Sequence, residues 1–201
     1  MAWIKTISYE EATGRLRQLY NRIKGPDNNV DNVMLAHSLR PHTLVGHMHI
    51  YKNVLHNTGN QLPKWFLEAI GVYVSHLNLC NYCLEHHFAG MSRLMDDNER
   101  AKAFRSALNS ETFDELFEEQ QIAAFIYAKA LTQDPSSMEE KYIDDLRKVG
   151  YDDGTILEIN QVISYFNYVN RMVNGLGVNI FGDLIGLSPT NSSDENDWSH
   201  Q

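Results

Sequence analysis

Apolar residues along the chain recur at three- and four-residue intervals and never settle into a sustained two-residue alternation, so the pattern predicts helix after helix. The expected fold class is all-α, a single domain of about eight or nine helices. Ser8, with Glu11 three residues on, has capping-box spacing and predicts a first helix that Gly25-Pro26 ends near Lys24. Asp31 starts a short helix that Pro41 interrupts, and Pro41 suits the first position of a third, running to Asn57-Thr58-Gly59. Pro63 opens a fourth, Lys64 to about His76, with Phe66, Leu67, Ile70, Val74 and Leu77 on one apolar face. Asn78 then caps a fifth that carries Cys80 in its first turn and continues to Met91 or Leu94.

Residues 96–110 are polar and hold room for one more helix. Phe113 to Leu131 reads as a long amphipathic helix ended by Asp134-Pro135, Ser137 and Glu140 can box the next up to Gly150, and Asp152 or Asp153 caps the last. That last helix reaches Asn174, before Gly175 and Gly177. Residues 1–187 form the helical domain, and residues 188–201 form a polar tail whose composition is that of a disordered segment. Within reach of it, Trp198 and Phe181 read either as a contact to a neighbouring subunit or as an incidental packing contact between molecules.

Charge narrows the function classes. The 201 residues carry 17 Lys and Arg against 26 Asp and Glu, a net charge of −9, without a dense basic cluster, so neither nucleic acid nor an anionic membrane is an expected partner. No basic stretch followed by an apolar run opens the sequence, and no apolar segment approaches the ~20 residues that cross a bilayer. The expected location is therefore the cytoplasm. A vicinal thiol pair in that reducing compartment is more often catalytic, redox-sensing or metal-binding than a permanent bridge.

Both cysteines of the chain, Cys80 and Cys83, lie in one Cys-x-x-Cys-x-x-x-His segment ending at His87. A bridge between them closes almost no loop and adds little stability, so the pair reads as reactive rather than mechanical. At about 100° per residue, Cys80, Cys83 and His87 share a helix face. An imidazole four residues after Cys83 can take its proton, and backbone N–H groups at the helix start favour a thiolate on Cys80. Glu68 is the one acid of the apolar stretch Trp65 to Leu79, where it either faces solvent or orients His87 from a buried position.

Glu68, eleven residues, Cys80, two residues, Cys83, three residues and His87 reproduce the Glu-x11-Cys-x2-Cys-x3-His signature of alkylhydroperoxidase AhpD-like proteins in the carboxymuconolactone decarboxylase superfamily. Ile122-Ala123-Ala124-Phe125 through Asp134-Pro135, Leu146-Arg147-Lys148-Val149-Gly150 and Phe166-Asn167-Tyr168-Val169-Asn170-Arg171 resemble its peroxidase-related branch, so the likeness spans roughly Ile4 to Val178. The resemblance implies an all-α homo-oligomer that reduces a hydroperoxide, or a partner's disulfide, and is restored by a thiol reductant or redox partner protein, without a cofactor. It implies Cys83 as the attacking thiol, Cys80 as the resolving one, His87 as base and Glu68 as its partner. The helix-terminus argument instead favours Cys80 as the more acidic thiol. Tyr82 stands where prototype members carry a histidine, which puts the proton relay in question. His86 and His76 are possible substitutes, although the expectation places His86 on a different helix face from Cys83.

Three rival readings stand beside this one. Cys80, Cys83, His87 and His76 could hold zinc, though a structural zinc site usually draws on two chain segments. A lactone-decarboxylase activity occurs in the same superfamily, on a branch that typically lacks the cysteine pair. A non-catalytic module has no use for this register of carboxylate, thiols and imidazole. Of the other histidines, His37, His42, His47, His49 and His56 crowd the second and third helices. His42, His49 and His56 recur every seven residues, a polar surface or subunit contact in the simpler reading and metal ligands or a pH-sensitive face in the other.

Overall fold

A computed structural model describes residues 2–200. Among them are nine α-helices, α1 (Gly14–Ile23), α2 (Asn32–Leu35), α3 (Pro41–Leu55), α4 (Lys64–Leu77), α5 (Asn81–Met95), α6 (Asn98–Ala107), α7 (Glu119–Gln133), α8 (Glu140–Lys148) and α9 (Asp153–Leu176). The described residues include no strand, only an isolated bridge between Pro189 and His200.

Helix α4 is the centre of the molecule. Every residue from Phe66 to Ser75 is buried, so the single apolar face expected of it extends around the whole helix, as befits a helix enclosed by others. α5, α7 and α9 pack around it. Gly71 makes the α9 contact possible, because a Cβ there would lie 2.1 Å from the ring of Phe166. On the α7 side, Phe66, Phe104, Phe113, Phe117 and Phe125 form a cluster with ring centroids 5.0 to 6.1 Å apart, most of them edge-on.

Several helix ends differ from the sequence pattern for local reasons. Ser8 and Glu11 do exchange hydrogen bonds, Ser8 N–H to Glu11 Oε2 at 3.2 Å and Glu11 N–H to Ser8 Oγ at 3.3 Å. They close only a turn, because Gly14 takes a left-handed φ of 54° and the helix begins there. Residues 113–118 form turns ahead of α7, whose box is instead made by Glu118 and Gln121. Glu139, not Ser137, precedes α8, and Asp152 caps α9 by accepting from Thr155 N–H at 2.7 Å. α9 continues through Gly175 to Leu176 and stops at Gly177, φ 61°.

The polar tail is folded against its own chain. Trp198 is 1% exposed, with the Arg22 guanidinium 3.7 Å above its ring and His49 edge-on at 5.0 Å. Buried Lys52 donates to Thr190 O and, at 3.0 Å, to Ser192 Oγ, while Arg22 reaches Asn196 O at 3.0 Å. The anticipated subunit contact through Trp198 is thus an intramolecular one, and Phe181 is exposed. The outcome is a strap from Val178 to His200 across one end of α3, α5 and α9.

Candidate functional site

The turn between α4 and α5 sets the position of the thiols. Asn78 closes α4, Leu79 follows in a left-handed conformation with φ 54°, and Cys80 occupies the cap position of α5 rather than its first turn. A leucine there costs energy that its surroundings must offset. α9 supplies the hold: Asn78 Nδ2 donates to Asn167 Oδ1 at 3.1 Å and to Asn170 Oδ1 at 3.0 Å, and Asn174 Nδ2 donates to Asn78 O at 3.0 Å. Asn170 also donates to Ser75 Oγ at 3.1 Å, and Cys80 N–H to Ser75 O at 2.8 Å. The asparagines of the Phe166–Arg171 stretch are therefore the clamp on the cysteine turn.

The two sulfurs lie 2.9 Å apart as free thiols, less than about 1 Å beyond a disulfide bond length. Their environments differ. Cys80 is held below the usual thiol range, chiefly by its hydrogen bond with Cys83, while burial pushes Cys83 well up. Of the two, Cys80 is thus the thiol that ionises more readily, and Cys83 the one that holds its proton. Access runs the other way: Cys83 lines a cavity of about 40 Å³, whereas Cys80 is 0% exposed and lies behind it.

Glu68 is buried on α4 at 1% exposure, and its Oε2 lies 2.6 Å from His87 Nδ1. A carboxylate only accepts, so Nδ1 carries the hydrogen and Nε2 keeps the free lone pair. Phe166 stands edge-on to the imidazole at 4.6 Å and fixes its plane. A Cβ at Gly90 would lie 3.9 Å from the same carboxylate, in ordinary contact with it.

The same cavity brings in residues that the motif omits. His86, three residues after Cys83 and hence only about 60° round the helix from it, lines the cavity instead of facing elsewhere. Its Nε2 lies 3.3 Å from Asp183 Oδ2 on the strap, and Tyr82 donates to that oxygen at 2.6 Å while its ring lies 4.5 Å from His86. Asp183 also accepts from Asn32 N–H at 3.1 and 3.0 Å through its two oxygens. Asp31 completes this wall, and burial raises its pKa to about 6 despite the nearby His86. His47, Tyr51, Tyr165 and His200 form the opposite wall. Burial lowers the pKa of His47 to about 3 and of His200 to about 4. Leu187 and Ser188 of the strap close the top.

The seven-residue histidine stripe does not act as one surface. His42 is exposed, His49 lies under Trp198, and His56 is fully buried 4.6 Å from Tyr51. Among the described residues, no group of three or more His, Cys, Asp or Glu side chains is arranged to hold a metal ion, and no helix is long and apolar enough to cross a membrane. Sequence spacing reached Glu68, Cys80, Cys83 and His87 because they lie within 20 positions of one another. It missed His47, Asp183 and His200, for which no local signal exists.

No protein-family model and no curated protein matches the sequence. Among solved structures, the chain is similar to an uncharacterized peroxidase-related protein from Silicibacter sp. TM1040, with 27% identity and TM-score 0.67 over 75% of this chain and 76% of that one. It is similar also to the alkylhydroperoxidase AhpD core of a peroxidase-related protein from Ralstonia eutropha JMP134, with 22% identity and TM-score 0.77 over 89% and 91%. A third likeness, to the debrominase Bmp8, has 19% identity and TM-score 0.70 over 87% and 89%. The chain has the AhpD-like fold, and its neighbours are consistent with the AhpD and carboxymuconolactone decarboxylase superfamily.

Proposed function

We propose that this AhpD-like chain is a thiol-dependent peroxidase in which Cys83 attacks and Cys80 resolves. One observation carries the reading: Cys83 opens onto a small cavity, with a second thiol 2.9 Å behind it and a carboxylate-held imidazole lining the same space. Cys83 gives its proton to His87 Nε2, and its sulfur attacks the terminal oxygen of a hydroperoxide. The S–O bond forms, the O–O bond breaks, and the alkoxide leaves as alcohol after taking a proton. Cys80, acting as a thiolate, displaces hydroxide from the resulting sulfenic acid to form the disulfide, and water leaves. The dithiol supplies both electrons. An external thiol or dithiol returns them.

A cavity of about 40 Å³ takes a molecule the size of a few waters, which favours hydrogen peroxide and short-chain hydroperoxides. Reductive dehalogenation on the same dithiol is the second reading, since the debrominase shares the fold and three tyrosines line the cavity. A halogenated aromatic is larger than the volume of about 40 Å³ available there, which favours the peroxide reading. Anaerobic single-turnover oxidation of the reduced protein by hydrogen peroxide, followed as thiol loss, tests the proposal. The expected result is two thiols lost per chain, with Cys83→Ser at least ~100-fold slower. Thiol loss with a brominated phenol or pyrrole, and none with peroxide, would overturn it.

A further inference from the structure

The proton count of the proposed reaction leaves one proton unassigned. The proposed reaction uses Cys83 as a thiol and Cys80 as a thiolate, so the pair brings one proton, yet two oxygens leave, first as alkoxide and then as hydroxide, and each must be protonated. The proton that His87 collects from Cys83 serves one of them. The other needs a second donor, and the groups that line the cavity are the candidates.

We infer that His86, held by Asp183 from the strap, is that donor and delivers its proton to the alkoxide as the O–O bond breaks. The inference rests on the peroxidase reading above. Four imidazoles line the cavity, and only two have a carboxylate beside them, His87 with Glu68 and His86 with Asp183. His86 Nε2 sits at ion-pair distance from Asp183, 3.3 Å, but off the line of a hydrogen bond, and it has no hydrogen-bond partner among the described residues. That nitrogen is therefore not engaged by the protein and is free to meet a leaving oxygen. Asp183 itself is fixed by Tyr82 O–H and the Asn32 N–H, so the carboxylate cannot swing to meet the ring. Other titratable groups facing His86 are Asp31 across the wall and His200 from the strap end. Burial keeps His47 and His200 uncharged at neutral pH, so neither has a proton to spare for an oxygen that must end neutral.

The arrangement also accounts for Tyr82. The imidazole that prototype members carry at that place is supplied one helical turn later, at His86, and the tyrosine hydroxyl positions its carboxylate partner. Electrons and protons then balance over the cycle. A reducing dithiol brings two of each; the two electrons break the disulfide, one proton restores the Cys83 thiol, and the other restores His86.

The test is leaving-group dependence in single-turnover thiol oxidation, using ethyl hydroperoxide and peroxyacetic acid, which are of similar size. Ethoxide needs a proton as it leaves; acetate does not. His86→Gln is expected to slow ethyl hydroperoxide by about 100-fold, the usual contribution of a positioned acid, and peroxyacetic acid by less than about threefold. Asp183→Asn is expected to follow the same pattern more weakly. Equal loss with both oxidants would make His86 structural and overturn the inference. If the variants fail to fold, the wild type decides through a series of small peroxides: a shallow dependence of rate on leaving-group basicity supports a proton donor, and a steep one excludes it. Oxidation of the wild type by neither peroxide would instead overturn the peroxidase reading itself, and this inference with it.

Discussion

Adding one methyl group at Gly71 tests how the buried helix α4 holds the imidazole of the site. An alanine Cβ there meets Cε2 and Cζ of Phe166 at 2.1 Å, about 1.5 Å inside ordinary carbon contact. Phe166 is fully buried between His87 at 4.6 Å and Tyr165 at 5.3 Å, so its ring has no free direction in which to retreat. Overpacking of this kind costs about 1–3 kcal/mol, and an overlap this deep belongs at the top of that range. The exchange of glycine for alanine inside a helix returns about 1 kcal/mol. The net expectation for Gly71→Ala is a loss of about 2 kcal/mol. Gly46 in α3 and Gly175 in α9 are the controls, because nothing lies within 4 Å of a Cβ at either; each alanine there should gain about 0.5–1 kcal/mol. Urea unfolding followed by far-UV circular dichroism measures all three. A Gly71→Ala midpoint equal to those of the controls would refute the close α4–α9 contact and with it the account of how His87 is fixed.

Glu68→Gln removes the acceptor charge from His87 and should slow peroxide-dependent thiol oxidation by about 100-fold, with rates measured against pH; an unchanged profile would remove His87 as the base. Ultraviolet titration of the reduced protein should register about one thiolate per chain below the ordinary thiol range, lost in Cys80→Ser and not followed by a second until well above it. His37 and His200, both lowered to about 4, and His47, lowered to about 3, take up protons more readily when unfolded. Stability should therefore fall as pH drops from about 6.5 toward 4, opposed in part by Asp31, whose folded pKa of about 6 works in the other direction. A denaturation midpoint higher at pH 5 than at pH 7.5 would contradict this. Trp198→Ala should cost about 3–5 kcal/mol as a buried aromatic, whereas a free tail would make it neutral in the same unfolding assay.

What the sequence made legible was local. Helical periodicity, Pro41 at a helix start and the spacing of Glu68, Cys80, Cys83 and His87 each depend on neighbours within a few turns. The Ser8–Glu11 exchange was equally legible and equally present, but a left-handed Gly14 downstream decided where the helix began. Distance along the chain hid the rest. Asp183 lies about a hundred positions from His86, and nothing around it differs from an ordinary loop aspartate. His56 looked like part of a polar stripe because the pattern cannot see Tyr51 and the strap closing over it. Residues 188–200 were polar enough to read as disordered, yet one tryptophan, one buried lysine and an arginine were sufficient to seat them.

The strap also has a bearing on how the molecule comes into being. Helices emerge from the ribosome in order, and the thiols with their glutamate and imidazole are complete by residue 87. Asp183, Leu187 and His200 follow roughly a hundred residues later. For that interval the nascent chain carries both cysteines without the α9 asparagines that hold their turn or the strap that covers them. Synthesis of α9 and of the strap after it is what fixes and covers the pair of sulfurs.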